Sequence, residues 1–143
     1  MTMKKYLLLL PMFSLAAVAY AEPNLQDGLW EITSKMEMPG MPAAAMQSTK
    51  MTQCMTKTNA VPTTQPKDKN NDCKMTSTNV VGNTVTWAMQ CHGQQGDSDS
   101  SGKVTYSGNS FSGVTKVSMN IKGQGRMEMT QNMSGKRIGD CKK

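Results

Sequence analysis

Strict alternation of apolar and polar residues over Trp30–Met38 restricts this chain to a β fold. The even positions of the segment are Trp, Ile, Ser, Met and Met, and the odd positions are Glu, Thr, Lys and Glu. Successive side chains of a strand point to opposite faces of a sheet. The pattern therefore predicts a half-buried antiparallel strand with one apolar and one charged face.

The same alternation recurs further along the chain. In Thr84–Cys91 the odd positions are Val, Trp, Met and Cys, and in Arg126–Met133 they are Met, Met, Gln and Met. Patterns of period two predict strands, and we expect their apolar sides to share one core. The predicted core residues are Trp30, Ile32, Met36, Met38, Met75, Val85, Trp87, Met89, Phe111, Val117, Met119, Met127 and Met129.

Turn residues separate the predicted strands. Gly-Asn pairs at 82–83 and 108–109 suit the positive φ of hairpin loops, and residues 122–125 form a third turn. The Ser, Gly and Asp residues of 93–102 are interpreted as an exposed loop, and 56–72 as a loop that starts with a short helical turn. The predicted fold is all-β: an antiparallel meander of about seven strands that curls into a small barrel or half-barrel and contains two disulfides.

The parity of two predicted strands fixes the register of the hairpin that joins them. If Met75 and Trp87 share one core, the loop between the strands has an odd number of residues, most simply 81–83. Met75 then lies opposite Met89, and the cysteines at 73 and 91 also face each other. A shift of one residue would turn one apolar set outward.

The first 21 residues have the parts of a secretory signal peptide. Lys4 and Lys5 precede an apolar run, and the sequence Ala-Tyr-Ala ending at Ala21 is a cleavage site of the A-x-A type. The apolar run is shorter than the roughly 20 residues that cross a bilayer, so no transmembrane segment is expected in the mature chain. Cleavage after Ala21 would leave a single β domain over residues 22–143, located in the periplasm or secreted.

All four cysteines lie in the predicted mature chain. An even cysteine count in an exported protein predicts two disulfides, because that compartment is oxidising. Three pairings are open, and a direct cross-strand bridge between Cys73 and Cys91 is one possibility. Because such bridges need uncommon geometry, we favour Cys54–Cys73 with Cys91–Cys141.

Several short motifs occur in order along the mature sequence. They are GLWEIT at 28–33, QC at 53–54, TVTWAMQC at 84–91, GKVTYSGNSFSG at 102–113 and KRIGDC at 136–141. Together they resemble the bacterial secreted family known as Domain of Unknown Function 3617 over nearly the whole mature chain. The resemblance implies a periplasmic or envelope protein with a β fold, and it carries over no catalytic or binding residues.

Methionine is unusually frequent, with 15 residues in the chain. Thioethers are soft ligands that select Cu(I), but methionine is also an adaptable core filler. The two Met-x-Met pairs, at 36–38 and 127–129, follow the strand alternation and are interpreted as core. Met41 lies beyond that alternation, because the Pro-Gly pair before it ends the strand. The candidate copper ligands are Met41, Met46, Met51 and Met55.

Other kinds of site have weaker support in the sequence. The basic residues are scattered and aromatic residues make up 5% of the chain, so no nucleic-acid partner is expected. His92 is the single histidine and has no recognisable catalytic partner, so we expect no enzymatic activity. Asp97 and Asp99 lack a full calcium-loop pattern and are interpreted as part of a solvated loop.

Three functional hypotheses follow from these observations. The leading one is a non-enzymatic periplasmic or envelope binding or accessory protein, with an unknown small apolar ligand or envelope protein as its partner and no resident cofactor. The second is copper(I) or oxidant handling through the candidate methionines. The third is a structural envelope component that assembles with copies of itself through a strand edge.

Overall fold

Seven strands and one short helical turn make up the described part of the protein. The computed structural model describes residues 22–42, 46–62, 71–94 and 96–142, and the predicted signal peptide lies outside the described residues. A 3-10 turn at Lys57–Asn59 forms the helical element predicted at the start of the 56–72 loop. The strands are β1 (Gly28–Glu37), β2 (Ser48–Met55), β3 (Asn71–Val81), β4 (Thr84–Gly93), β5 (Gly96–Tyr106), β6 (Ser110–Ile121) and β7 (Gly125–Gly139).

All seven strands belong to one antiparallel sheet with the order β2-β1-β7-β6-β5-β4-β3. Strands β3 to β7 form a meander of neighbouring hairpins, and β1 and β2 are added on the far side of β7. Strands β2 and β3 are the two edges and do not pair with each other, so the sheet stays open. The predicted all-β fold with seven strands is therefore confirmed as a half-barrel.

The sheet has two faces and two ends that differ in chemistry. We call the face that carries Trp30, Val85 and Phe111 the inner face, and the opposite one the outer face. The closed end holds Gly28 of β1 and the end of β7, and the opposite end of the strands is the open end. No helix among the described residues is long and apolar enough to span a membrane.

The buried core lies on the inner face at the closed end. Trp30 has no exposed surface, and its ring centroid is 5.7 Å from that of Phe111, which lies 5.8 Å from that of Tyr106. Tilted aromatic pairs at such distances add about 0.5–1.5 kcal/mol each to the gain from burial. The core consists of Leu25, Trp30, Ile32, Ala60, Val85, Val104, Tyr106 and Phe111.

Two segments outside the strands cover this core. The backbone around Leu25 pairs with Gly108, through a Gly108 N–H that donates to Asn24 O at 2.8 Å. The segment after the 3-10 turn is held by the Tyr106 hydroxyl, which donates to Ala60 O at 2.8 Å. The pattern of strand alternation does not extend to Leu25 or Ala60, and so it does not predict them.

The predicted core is too large at the open end. Met36 and Met127 are 45% and 39% exposed, so their assignment to the core is wrong. The covering segments at Leu25 and Ala60 pack at the closed end, and among the described residues outside the strands none of the core residues lies over the open end. The predicted core residues that are only half-buried are Met38, Met75, Trp87, Met89, Val117, Met119 and Met129.

The hairpin of β3 and β4 has the predicted Met75–Met89 pairing, but its turn differs from the predicted one. Its turn has two residues, not three, because residue 81 pairs with residue 84 and Gly82 has φ 57°. Thr78 therefore lies opposite Trp87. A bulge between Met75 and Ser77 then restores the parity, so that Met75 pairs with Met89 as predicted.

Strand β5 corrects the interpretation of residues 93–102 as an exposed loop. Ser, Gly and Asp favour turns, but residues 96–106 are paired along their length with β4 on one side and β6 on the other. Backbone pairing on both sides outweighs the weak strand propensity of these residues.

The disulfides are Cys54–Cys141 and Cys73–Cys91, so the favoured pairing is wrong and the cross-strand alternative is correct. Cys54 and Cys73 lie on the two opposite edges of the sheet, which keeps them apart. Cys141 follows β7 at the closed end, where β1 lies between β7 and the end of β2.

The two disulfides are expected to stabilise the fold unequally. They join residues separated by 87 and 18 positions. The chain-entropy model then gives roughly 4.6 kcal/mol for Cys54–Cys141 and roughly 3.2 kcal/mol for Cys73–Cys91. Urea unfolding of the two paired Cys→Ala variants measures this difference. A greater loss in Cys73→Ala/Cys91→Ala would contradict the prediction.

Burial of Tyr106 predicts a pH dependence at alkaline pH. Tyr106 is 5% exposed, and burial raises the pKa of its phenol above the ordinary value of 10.0. The folded state therefore keeps this proton when the unfolded state loses it, and the associated stability is present below about pH 10 and lost as pH rises through the raised pKa.

The variant Tyr106→Phe tests this sign. We expect it to be about 1 kcal/mol less stable than the wild type near neutral pH, because the hydrogen bond to Ala60 is lost. Above about pH 10 the difference in unfolding free energy is expected to shrink, since the variant has no phenol to ionise. A difference that stays constant to high pH would show that Tyr106 does not titrate as its burial implies.

Candidate functional site

Half-buried apolar side chains continue across the inner face beyond the core. They lie toward the open end, and the two segments that cover the core, at Leu25 and Ala60, lie at the closed end. Contiguous apolar surface of this kind is uncommon on soluble monomers and often marks a place of binding. We call this surface the open face; its residues are Met75, Trp87, Met89, Val117, Met119 and Met129.

The middle strand of the open face carries small side chains. The inner-face positions of β5 in this region are Gly96, Ser98, Ser100 and Gly102, all small. Ser100 pairs with Met89 of β4 on one side and with a valine of β6 on the other. Small side chains between large ones give a shallow trough along β5.

Trp87 borders the trough at the end nearest the core. It pairs directly with Gly102, and a Cβ atom on that glycine would collide with the indole ring. The ring therefore lies directly over the backbone of β5. In the core, the ring of Phe111 lies over Gly135 in the same way, and a Cβ atom on that glycine would collide with the ring.

The open face carries no charge. The inner-face positions of β4, β5 and β6 include no Asp, Glu, Lys, Arg or His. The polar groups near the trough are neutral: Thr115 is 6% exposed, and Gln131 donates to the Ser34 hydroxyl at 2.7 Å. Such a surface offers shape and dispersion contacts, with few hydrogen bonds.

The outer face is charged and solvated. A depression of about 440 Å³ lies mainly over outer-face side chains of β4 to β7, among them Asp99 and Lys116. At its border Arg126 and Glu128 form an ion pair at 3.3 Å, with both side chains more than half exposed. Exposed pairs of this type contribute about 0–1 kcal/mol and are typical of a strand surface in water.

The four methionines predicted as copper ligands lie along the edge of the sheet and do not meet at one point. Met41 follows the end of β1, and Met46 precedes β2. Met51 pairs with Ile32, is 54% exposed, and lies four residues, roughly 13 Å, from Met55. Met55 packs against the core at the closed end.

His92 and the two aspartates lie on the outer face near the open end. His92 Nδ1 is 3.0 Å from the Asp97 carboxylate across β4 and β5, with both side chains exposed. Asp97 and Asp99 belong to a strand and not to the predicted loop. Among residues 22–42, 46–62, 71–94 and 96–142, no group of three or more His, Cys, Asp or Glu side chains is placed to hold a metal ion.

The observations so far define a disulfide-bonded β protein with one open sheet and an apolar inner face that is only partly covered by the described segments. The chain belongs to the family described as Protein of unknown function (DUF3617), whose model matches residues 25–141. The match includes all seven strands and all four cysteines. No curated protein and no solved structure matches the chain.

The trough is the main feature of the site that the sequence reading missed. The signal was present: residues 96–102 alternate between Gly or Ser at even positions and Asp or Ser at odd positions. It is a period-two pattern of small against polar residues. The usual pattern of apolar against polar residues does not detect it.

The contact between Trp87 and Gly102 predicts a matched pair of glycine variants. Gly102→Ala is expected to displace the indole and cost about 1–3 kcal/mol of unfolding free energy, as overpacking does. Gly139→Ala is the control, because a Cβ there meets no atom within 4 Å; its effect should be below about 0.5 kcal/mol. Urea unfolding followed by tryptophan fluorescence compares the two, and equal effects would refute the contact.

Proposed function

We propose that this protein is a non-enzymatic binding protein of the periplasm or secreted fraction that holds the hydrocarbon chain of an amphiphile on its open face. The observation that carries the proposal is a set of six half-buried apolar side chains on a part of the sheet that lies outside the two described covering segments. Each methylene group that such a chain removes from water stabilises the complex by about 0.8 kcal/mol.

The chemistry of the trough favours a hydrocarbon chain over a peptide. The backbone of β5 is already hydrogen-bonded to β4 and β6, so it has no free N–H or C=O groups with which to pair an added strand. The inner-face positions around it are uncharged. A ligand that needs only dispersion contacts and exclusion of water fits this surface best.

The residues around the trough suit ligands of variable shape. Met75 and Met89 pair across β3 and β4, and Met119 pairs with Met127 across β6 and β7. Methionine side chains are unbranched and polarisable, so they repack around different partners at little cost. This adaptability supports binding of a class of chains in preference to a single rigid molecule.

Three further observations support a binding role outside the cytoplasm. The open face supplies no carboxylate, amine or imidazole that could serve as a general acid or base. All four cysteines form disulfide bonds, which is typical of proteins from oxidising compartments. The signal peptide predicted over residues 1–21 supports export.

Direct binding of a fluorescent fatty acid tests the proposal. The oxidised protein is titrated with dansylated undecanoic acid, and the same titration is made with Met129→Lys, which places a charge in the open face. We expect probe binding by the wild type and an affinity at least about tenfold lower in the variant, equivalent to about 1.4 kcal/mol.

Met51→Lys is the matched control, since Met51 is 54% exposed on the edge strand β2. Its affinity for the probe should equal that of the wild type. Absence of binding by the wild type, or equal losses in both variants, would refute the proposal. Light scattering on the same samples tests for self-assembly. A wild-type dimer that dissociates in Met129→Lys would assign the open face to contact between copies of the chain instead.

A further inference from the structure

A tight turn brings two methionines together at the open end of β1. In the sequence Met38-Pro39-Gly40-Met41, the Met41 N–H donates to Met38 O at 3.2 Å, and Gly40 has φ 85°. Proline second and glycine third, with positive φ at the glycine, are features of a type II turn. Such a turn places its first and fourth Cα atoms within about 7 Å of each other.

A third methionine reaches the same place from β7. The pairing of β1 with β7 extends to Glu37 and Thr130, so the start of β7 runs beside the turn. Met38, Met41 and Met127 line one pocket of about 500 Å³. The other residues that line it are Pro39, Arg126 and Glu128.

These methionines are accessible to a metal ion from solvent. Met41 and Met127 are 47% and 39% exposed, and Met38 is half-buried. None of the three belongs to the buried core or to the partly buried residues packed against it. Their convergence therefore contributes little to the hydrophobic stability of the fold.

We propose that Met38, Met41 and Met127 form a binding site for Cu(I). Thioether sulfur is a soft neutral ligand that selects Cu(I) over hard divalent ions. The pocket contains one carboxylate, and its Glu128 is paired with Arg126 at 3.3 Å. The carboxylate is thus already matched by a guanidinium, and the three thioethers are the soft donors among the lining residues.

This site differs from the set of copper ligands suggested by the sequence. It keeps Met41, adds Met38 and Met127, and does not involve Met51 or Met55 on β2. It adjoins the open face through Met127, which pairs with Met119, but the two proposals rest on different residues, since neither Met38 nor Met41 belongs to the open face.

Competition for Cu(I) tests the site with two matched double variants. The oxidised protein is titrated anaerobically against the chromophoric chelator bicinchoninate, in the presence of ascorbate. Met41→Leu/Met127→Leu removes two proposed ligands, and Met51→Leu/Met55→Leu removes two thioethers from β2. Leucine is close to methionine in volume, so both variants are expected to fold.

We expect the wild type and Met51→Leu/Met55→Leu to withdraw one Cu(I) from the chelator with equal affinity. Met41→Leu/Met127→Leu should bind at least about tenfold more weakly, equivalent to about 1.4 kcal/mol. Equal affinity in all three proteins, equal losses in both variants, or no competition by the wild type would overturn the proposal.

A second measurement on the unaltered protein removes any dependence on variant folding. Methyl NMR spectra of 13C-methyl methionine are recorded while Ag(I), a redox-inert substitute for Cu(I), is added. The ε-methyl signals of Met38, Met41 and Met127 are expected to shift together and saturate at one equivalent. Shifts spread evenly over the exposed methionines would show nonspecific binding to thioethers and refute the site.

Discussion

The pairing of β1 with β7 is the constraint on which the rest of the structure depends. Every other pair of neighbouring strands in the sheet is also adjacent in sequence, whereas β1 and β7 are separated by nearly the whole chain. Their register places Gly135 between Ile32 on one side and Phe111 on the other. Because Gly135 has no side chain, the Phe111 ring extends over β7 and reaches Trp30. A single glycine thus permits the aromatic core.

The same pairing gives the molecule two structurally different ends. At the closed end it brings the C-terminal strand beside β1, where Cys54–Cys141 joins β2 to the residues after β7. At the open end it brings the start of β7 beside the turn at 38–41 and assembles three methionines. Between these ends the inner face is apolar and uncovered in the described residues, which is a stability cost that a bound chain would offset.

The sequence predicts the strands well and their long-range arrangement poorly. Alternation is a local signal, so it correctly identifies Trp30, Ile32, Val85 and Phe111 as core residues. It does not show how far the covering segments extend over the sheet. For this reason it wrongly predicts Met36 and Met127 as core residues, although both are exposed.

Two other failures have the same long-range origin. The pairing of Cys54 with Cys141 depends on the order of strands in the sheet, which no local pattern encodes. Strand β5 has the composition of a loop and is held in place by its two neighbours. The part of the candidate site that the sequence reading missed, the trough, lies on this strand.

The most direct test of the account is to locate a hydrocarbon chain on the protein. A fatty acid that carries a paramagnetic doxyl group near the end of its chain is added to protein labelled with 13C-methyl methionine. If the chain binds on the open face, the ε-methyl signals of its methionines should broaden selectively, and those of Met51 and Met55 should be unaffected. The methionines of the open face are Met75, Met89, Met119 and Met129. Broadening centred on Met51 and Met55, or no broadening at any methionine, would contradict the claim that the open face is a binding site.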